Sequence, residues 1–183
     1  VSEIKSWSKV GRKTLVDLKI LSVAEVSAVS PKTGQTHPFY VFESVDWVNV
    51  LPITVDQQVV FVRQYRHGSA AISLEIPGGM VDPGELPAVA AARECLEESG
   101  FEANDLKSLG VLNPNPAIFN NRLHTFVAEN VKPIRAIQNT ATEETEVVLV
   151  PVAELSARLL SGEIDHALVA ATLWRYLHQR ALA

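Results

Sequence analysis

Arg93, Glu94, Glu97 and Glu98 fall within two turns of a helix-forming stretch, and Glu85 lies eight residues before the arginine. At about 100° per residue, Glu94, Glu97 and Glu98 share one side of that helix. Ala88, Val89, Ala92, Cys95 and Leu96 share the other. Carboxylates three and four residues apart are neighbours on a helix surface, and each such pair destabilises an isolated helix by roughly 0.2–0.5 kcal/mol. Either that side is a solvated acidic face or a positive group meets it. The flanking residues favour the second reading. Gly78 and Gly79 let the backbone bend tightly and approach a ligand, and Pro83-Gly84 forms a turn before the helix. Three carboxylates beside a bent backbone make a hard-oxygen site suited to Mg²⁺ or Mn²⁺. Zinc is disfavoured, because the single cysteine, Cys95, provides no thiolate cluster. Magnesium keeps waters and shares its shell with substrate phosphates.

These residues resemble the signature of the Nudix hydrolase family: Gly, five residues, Glu, seven residues, then Arg-Glu-apolar-any-Glu-Glu-any-Gly-apolar. The chain supplies Gly79, Glu85, Arg93, Glu94, Cys95, Leu96, Glu97, Glu98, Ser99, Gly100 and Phe101, with Cys95 where an aliphatic residue is usual. LEIPGG and VRQYRHG, just upstream, extend the likeness, and the N-terminal arm matches only loosely. The resemblance implies hydrolysis of a nucleoside diphosphate linked to another moiety, on an α/β (α+β) fold: an α/β/α sandwich whose mixed sheet lies between helices. It implies that Glu94, Glu97 and Glu98 hold the metal, with the carbonyl of Gly78 as an additional ligand. It implies that Glu85 and Arg93 join loop to helix by an ion pair, so that Arg93 serves the catalytic helix. The chemistry is coherent on its own, because divalent ions that neutralise phosphate oxygens and lower the pKa of the attacking water supply what diphosphate hydrolysis requires.

Within that family Arg66 resembles the arginine of a motif in the ADP-ribose and nucleotide-sugar branch, while Arg63 reads equally as a surface cation or a substrate contact. Glu75 is expected to pair with Arg66 or to accept hydrogen bonds from a sugar. Pro116, sixteen residues after Gly100, resembles a proline position of ADP-ribose pyrophosphatases and reads equally as part of a Pro/Asn turn. TATEETEVV resembles an acidic loop before a late strand, and placing Val147-Val148 on that strand puts Glu143 at the position of the catalytic base. Glu144 and Glu146 compete for that role, with Glu97 the fallback. The substrate implied is ADP-ribose or a nucleoside diphosphate sugar, giving a nucleoside monophosphate and a sugar phosphate. Dinucleoside polyphosphates and coenzyme A are alternatives, as is a sensing module that binds without turnover. Degenerate carboxylates would favour such a module, and none is degenerate here.

The rest of the chain must position these groups. Its 183 residues, 47% hydrophobic and 20% charged, suffice for one ordinary core. The net charge of −5 offers no basic stripe and argues against nucleic acid, so an anionic substrate needs a metal or a focused arginine. A lone cysteine excludes an internal disulfide, and neither a membrane-spanning run nor a signal-peptide pattern is found, so a cytoplasmic protein is expected. Strand patterns over 15–30 and 38–45, around Pro31-Lys32-Thr33-Gly34, predict a hairpin. Further strands are expected at 47–55, 59–62, 72–76, 109–112, 123–128 and 147–152. Helices are expected at 88–99, 153–161 and 165–180, with Asp165 capping the last. Residues 1–44 form a β-rich arm, expected to cross to a second copy in a homodimer, and 45–183 form the Nudix-like domain. His67, His124 and His166 show no metal-ligand spacing and read as hydrogen-bonding residues.

Overall fold

The computed structural model describes residues 3–139 and 141–182, and the chain folds as two units. One comprises Val1–Val45 and Asn113–Arg122, the other Asp46–Leu112 and Leu123–Ala183.

The smaller unit is an antiparallel sheet of β1 (Ser8–Asp17), β2 (Ser22–Val29) and β3 (Thr36–Glu43), in that order. The single strand expected over 15–30 is in fact two, joined by a tight turn in which Leu18 N donates to Leu21 O at 2.9 Å. Every residue of β1 is exposed, so it has no buried face to impress an apolar period on its sequence. Ala24, Val26 and Ala28 of β2 alternate inward, as a half-buried strand requires. Residues 113–122 pack on β3: Phe42 N donates to Ile118 O at 2.7 Å, and Phe42 and Phe119 lie 5.3 Å apart, ring to ring. That stretch, expected within the 45–183 domain, groups instead with the arm.

The larger unit contains β4 (Trp47–Thr54), β5 (Gln58–Arg66), β6 (Ala71–Glu75), β7 (Gly78–Met80), α1 (Pro87–Ser99), β8 (Phe101–Glu102), β9 (Lys107–Leu112), β10 (Leu123–Pro133), β11 (Thr145–Pro151), α2 (Leu155–Ser161) and α3 (Ala167–Leu182). The sheet runs β11-β5-β4-β10-β8, with β6 on β5, β7 on β4 and β9 on β10. It is mixed, since β4 and β10 are parallel and the other pairs antiparallel. β4 is buried almost throughout, as a central strand covered on both faces must be. One face carries Leu51, Ile53, Val59 and Phe61 against Leu155 and Leu159 of α2 and Val169 and Leu173 of α3. The opposite face carries Val48, Val50, Val60 and Phe126 against Ala90, Ala91 and Cys95 of α1. This is the expected mixed-sheet α/β/α sandwich.

α1 starts with Pro at its first turn, where a missing N–H costs nothing, and stops at Gly100, whose φ of 76° a side chain would strain. Its buried face differs from the expected one. Ala90, Ala91, Cys95, Glu98 and Ser99 face inward, while Val89 is 54% exposed. The helix meets the sheet through alanines, whose small side chains allow close approach, and that orientation carries Glu98 inward with them. α3 begins at Ala167, so the capping position falls on His166 rather than Asp165, and His166 Nδ1 accepts from Val169 N at 3.4 Å. Among the described residues no helix is long and apolar enough to cross a membrane.

Candidate active site

The turn after β6 brings β7 alongside β4, with Gly78 opposite Asn49 and Gly79 opposite Val48. α1 then folds back over β7. A Cβ at Gly79 would collide with the Glu94 carboxylate, so only glycine lets this group lie against the strand. Gly78 N donates to Glu98 Oε2 at 2.9 Å. Burial, helped by the nearby charges of Glu94 and Glu143, pushes the Glu98 carboxyl up to about 8, against the pull of the Gly78 N–H and Arg66. Burial likewise raises Glu94 above the ordinary glutamate range, although Arg93 opposes it.

Arg93 answers the like-charge problem posed by the helix. Its Nε and Nη2 grip the two oxygens of Glu85 at 3.1 and 3.0 Å, and Nη1 reaches Glu94 Oε1 at 2.8 Å and Glu97 Oε2 at 3.3 Å. Nη2 also donates to Met80 O at 3.1 Å, which ties α1 to β7. The Glu85 hydrogen bonds raise the Arg93 pKa, and Arg93 in turn holds Glu85 below the usual carboxylate range. Arg93 therefore neutralises and orients, while the contacts above engage one oxygen each of Glu94, Glu97 and Glu98.

On β5 and β6, Arg66 Nε and Nη2 make a bidentate pair with Glu75 at 2.7 Å each. Burial tends to raise the Glu75 carboxyl, but Arg66, with a smaller share from His166 3.7 Å away, leaves it below its ordinary value. Arg63 lies on the other face of β5, because successive strand residues point oppositely. It meets Glu146, its cross-strand partner, at 3.5 Å, with both side chains half exposed or more.

Glu143 sits on the loop between β10 and β11, close enough to Glu94, Glu98 and Arg66 for its charge to bear on all three. A cleft of about 580 Å³ opens there, lined by Gln64, Tyr65 and His67 of the β5 end and by Asn139, Glu143 and Glu144 of the loop. Pro116 belongs to the unit built on the N-terminal strands. The larger unit thus gathers Gly78, Glu94, Glu97, Glu98, Arg93, Arg66, Glu75 and Glu143, and leaves Arg63 on the far face with Glu146. Gln64 and its cross-strand partner Thr145, which reaches Glu98 O, are neighbours that motif reading misses, while Tyr65 and His67 line the cleft beside Glu143. The period of two in Gln64-Tyr65-Arg66 is the signal that places Gln64 on the Arg66 face.

Among the described residues no three acidic, histidine or cysteine side chains converge into a closed metal-binding group. The donor set nevertheless fits a divalent cation: hard carboxylate oxygens only, one of each still available, on a rigid helix. Magnesium takes one or two protein carboxylates plus waters and phosphate oxygens, so it does not require a closed protein cage.

The NUDIX domain family model matches residues 44–173. The chain belongs to the Nudix family. It is 32% identical over 120 residues to "ADP compounds hydrolase NudE" of Escherichia coli, covering 66% of this chain and 63% of that one. It is 30% identical over 146 residues to "ADP-sugar pyrophosphatase" of Mus musculus, covering 73% and 66%. A relative in Bacillus methanolicus, 32% identical over 107 residues and matched over 58% of each chain, is named "Methanol dehydrogenase activator". The chain thus spans roughly six-tenths of the length of the first curated relatives it matches. The fold also matches a solved structure titled "Crystal structure of ADP compounds hydrolase", with a TM-score of 0.84, 24% identity, and coverage of 98% of this chain and 96% of that one.

Proposed function

We propose that the protein is a metal-dependent pyrophosphohydrolase that cleaves the diphosphate of ADP-ribose or a nucleoside diphosphate sugar into a nucleoside monophosphate and a sugar phosphate. The observation that carries this reading is the gathering of Glu94, Glu97 and Glu98 on one helix, with Glu143 close enough for its charge to bear on Glu94 and Glu98, and with Arg66, paired to Glu75, near enough to feel Glu98 and Glu143. The names of the E. coli and mouse relatives point to the same substrate class. Glu94, Glu97, Glu98 and the Gly78 carbonyl would hold Mg²⁺, or Mn²⁺ in its place. When bound, such ions neutralise phosphate oxygens and acidify the attacking water. Glu143 takes the proton of that water at its carboxylate. Arg66, whose guanidinium has five N–H donors and uses two on Glu75, offers the rest to a phosphate or sugar oxygen. Glu75 fixes the plane of that fork. Arg93 keeps Glu94 and Glu97 aimed. Arg63 has the weaker claim as a substrate contact, since it lies on the opposite face of β5 with Glu146, and Pro116 is kept as a substrate contact on the resemblance alone.

The protein is further inferred to work in the cytoplasm as a homodimer, supported by the fully exposed β1 edge strand with Val10, Leu15 and Val16 in the open. Light scattering at micromolar concentration checks this, and a fully active monomer overturns it.

The decisive assay supplies purified protein and Mg²⁺ with ADP-ribose, several nucleotide sugars, a dinucleoside polyphosphate and coenzyme A. Release of AMP and ribose 5-phosphate, abolished by chelator, is the expected result. Tight ADP-ribose binding with no turnover would replace the hydrolase with a sensing module.

A further inference from the structure

A helix leaves its last carbonyls without intrahelical partners, and something else must satisfy them. In α1 the Leu96 carbonyl takes Gly100 N at 3.0 Å, but the next two are filled from far along the chain. Glu97 O accepts from Gln138 N at 3.0 Å, and Glu98 O accepts from Thr145 Oγ1 at 2.7 Å. Gln138 and Thr145 flank the loop that carries Glu143. The backbone of two carboxylate-bearing residues is thus the dock on which that loop is held.

Thr145 is the buried half of the clamp, 7% exposed at the first position of β11. Its hydroxyl also lies 2.8 Å from the amide oxygen position of Asn139. A hydroxyl has one proton and a carbonyl only accepts, so the proton goes to Glu98 O. The Asn139 amide then turns its NH₂ toward Thr145 Oγ1, a flip that leaves the shape of the side chain unchanged. Chained in this way, helix end, Thr145 and Asn139 close the loop on itself across both its ends.

We propose that Thr145 is a positioning residue for catalysis: through Glu98 O on one side and Asn139 on the other, it holds the Glu143 loop in register with the carboxylates of α1. This rests on the reading of Glu143 as the base. Displacing a catalytic group by about 1 Å costs on the order of 10²-fold in rate. Thr145→Val keeps the shape and the β-branch but removes the hydroxyl. It is expected to lower kcat about 10- to 100-fold, with KM and the Mg²⁺ requirement within about threefold of wild type. Thr145→Ser restores the hydroxyl and should recover most of the rate.

The test measures kcat and KM for Thr145→Val, Thr145→Ser, Glu143→Gln and the Thr145→Val/Glu143→Gln double variant, together with amide hydrogen exchange of the metal-free proteins. If Thr145 acts through Glu143, the double variant is no slower than Glu143→Gln alone, and the Gln138 amide exchanges faster in Thr145→Val than in wild type. Asn139→Ala, at an exposed position, provides a second probe should Thr145→Val fail to fold, and is expected to lower kcat several-fold. Wild-type kcat in Thr145→Val, or in Asn139→Ala where Thr145→Val does not fold, overturns the proposal while a slow Glu143→Gln preserves the base. So does a Thr145→Val defect that multiplies fully with Glu143→Gln, that serine fails to rescue, or that leaves Gln138 exchange unchanged. Wild-type turnover in Glu143→Gln removes the base assignment itself, and the positioning role falls with it.

Discussion

The two faces of the sheet in the larger unit are built on opposite principles. Against α2 and α3 lie Leu51, Ile53, Val59 and Phe61, packed on Leu155, Val169 and Leu173 with almost no surface left to water. Against α1 the contact begins with Ala90, Ala91 and Cys95 and ends with a carboxylic acid, Glu98, 6% exposed. The first face stabilises by area removed from water. The second accepts a desolvated acid, whose charge is favoured by the Gly78 N–H and by Arg66 but not enough to offset burial. Cys95 shares the interior but not the chemistry: burial pushes its thiol up to about 12, which leaves it an inert packing residue. One side of the sheet therefore holds the fold, and the other gives up part of that stability to a charged site.

The comparison can be broken from either side. The largest expected effect is on the site: Glu98→Gln should cut turnover by about 10³- to 10⁵-fold while circular dichroism stays native, since transition-state charge stabilisation by a metal amounts to several kcal/mol. Full activity in that variant would remove Glu98 from the metal shell. On the opposite face, Phe61→Ala should lower unfolding free energy by about 3–5 kcal/mol in a urea titration. Fraction folded, rather than the rate of the folded enzyme, should account for whatever activity it loses.

Arg66 and Arg63 make the same contrast within one strand. Arg66→Lys keeps the charge but loses the fork that matches Glu75, and KM should rise about tenfold. Arg63→Ala removes only an exposed pair with Glu146 and should stay within about twofold, in both kcat and KM. Equal defects in the two would mean that substrate spans both faces.

The last expected effect concerns pH. In protein stripped of divalent ions, Glu98 is held neutral to about 8 in the fold, against 4.5 for an ordinary glutamate. The folded state then binds the extra proton between those values, so this group's contribution is full below about 4.5 and is lost as pH rises toward 8. Glu98→Gln has no such proton, so its melting temperature should gain on wild type as pH is raised from about 5 to 8. Added Mg²⁺ should narrow the gap, because a metal favours the ionised carboxylate. A gap independent of pH would show that the fold does not raise the Glu98 pKa.

Local chemistry determined much of this protein in advance. The glycine turn, Pro87, the run of helix formers and Gly100 dictate a helix of that length through their own backbone preferences, and the spacing of Glu94, Glu97 and Glu98 puts them together on it wherever it lands. Alternation likewise marks most strands, because each has a buried face to record. Where no face is buried the record is blank, which is why the strand Ser8–Asp17 is legible only in part, its second half merging into an undivided hairpin. Tertiary structure alone decided the rest. Which side of α1 faces the sheet depends on where alanines let it approach β4, and that turned Glu98 inward against the apolar count. Arg63 and Arg66, three apart in sequence, were separated by the pleat. The clamp at Thr145 needed α1 to end beside a strand that starts nearly fifty residues later, a meeting made by long-range sheet pairing and carbonyls left over at a helix end, neither of which any short stretch of residues encodes.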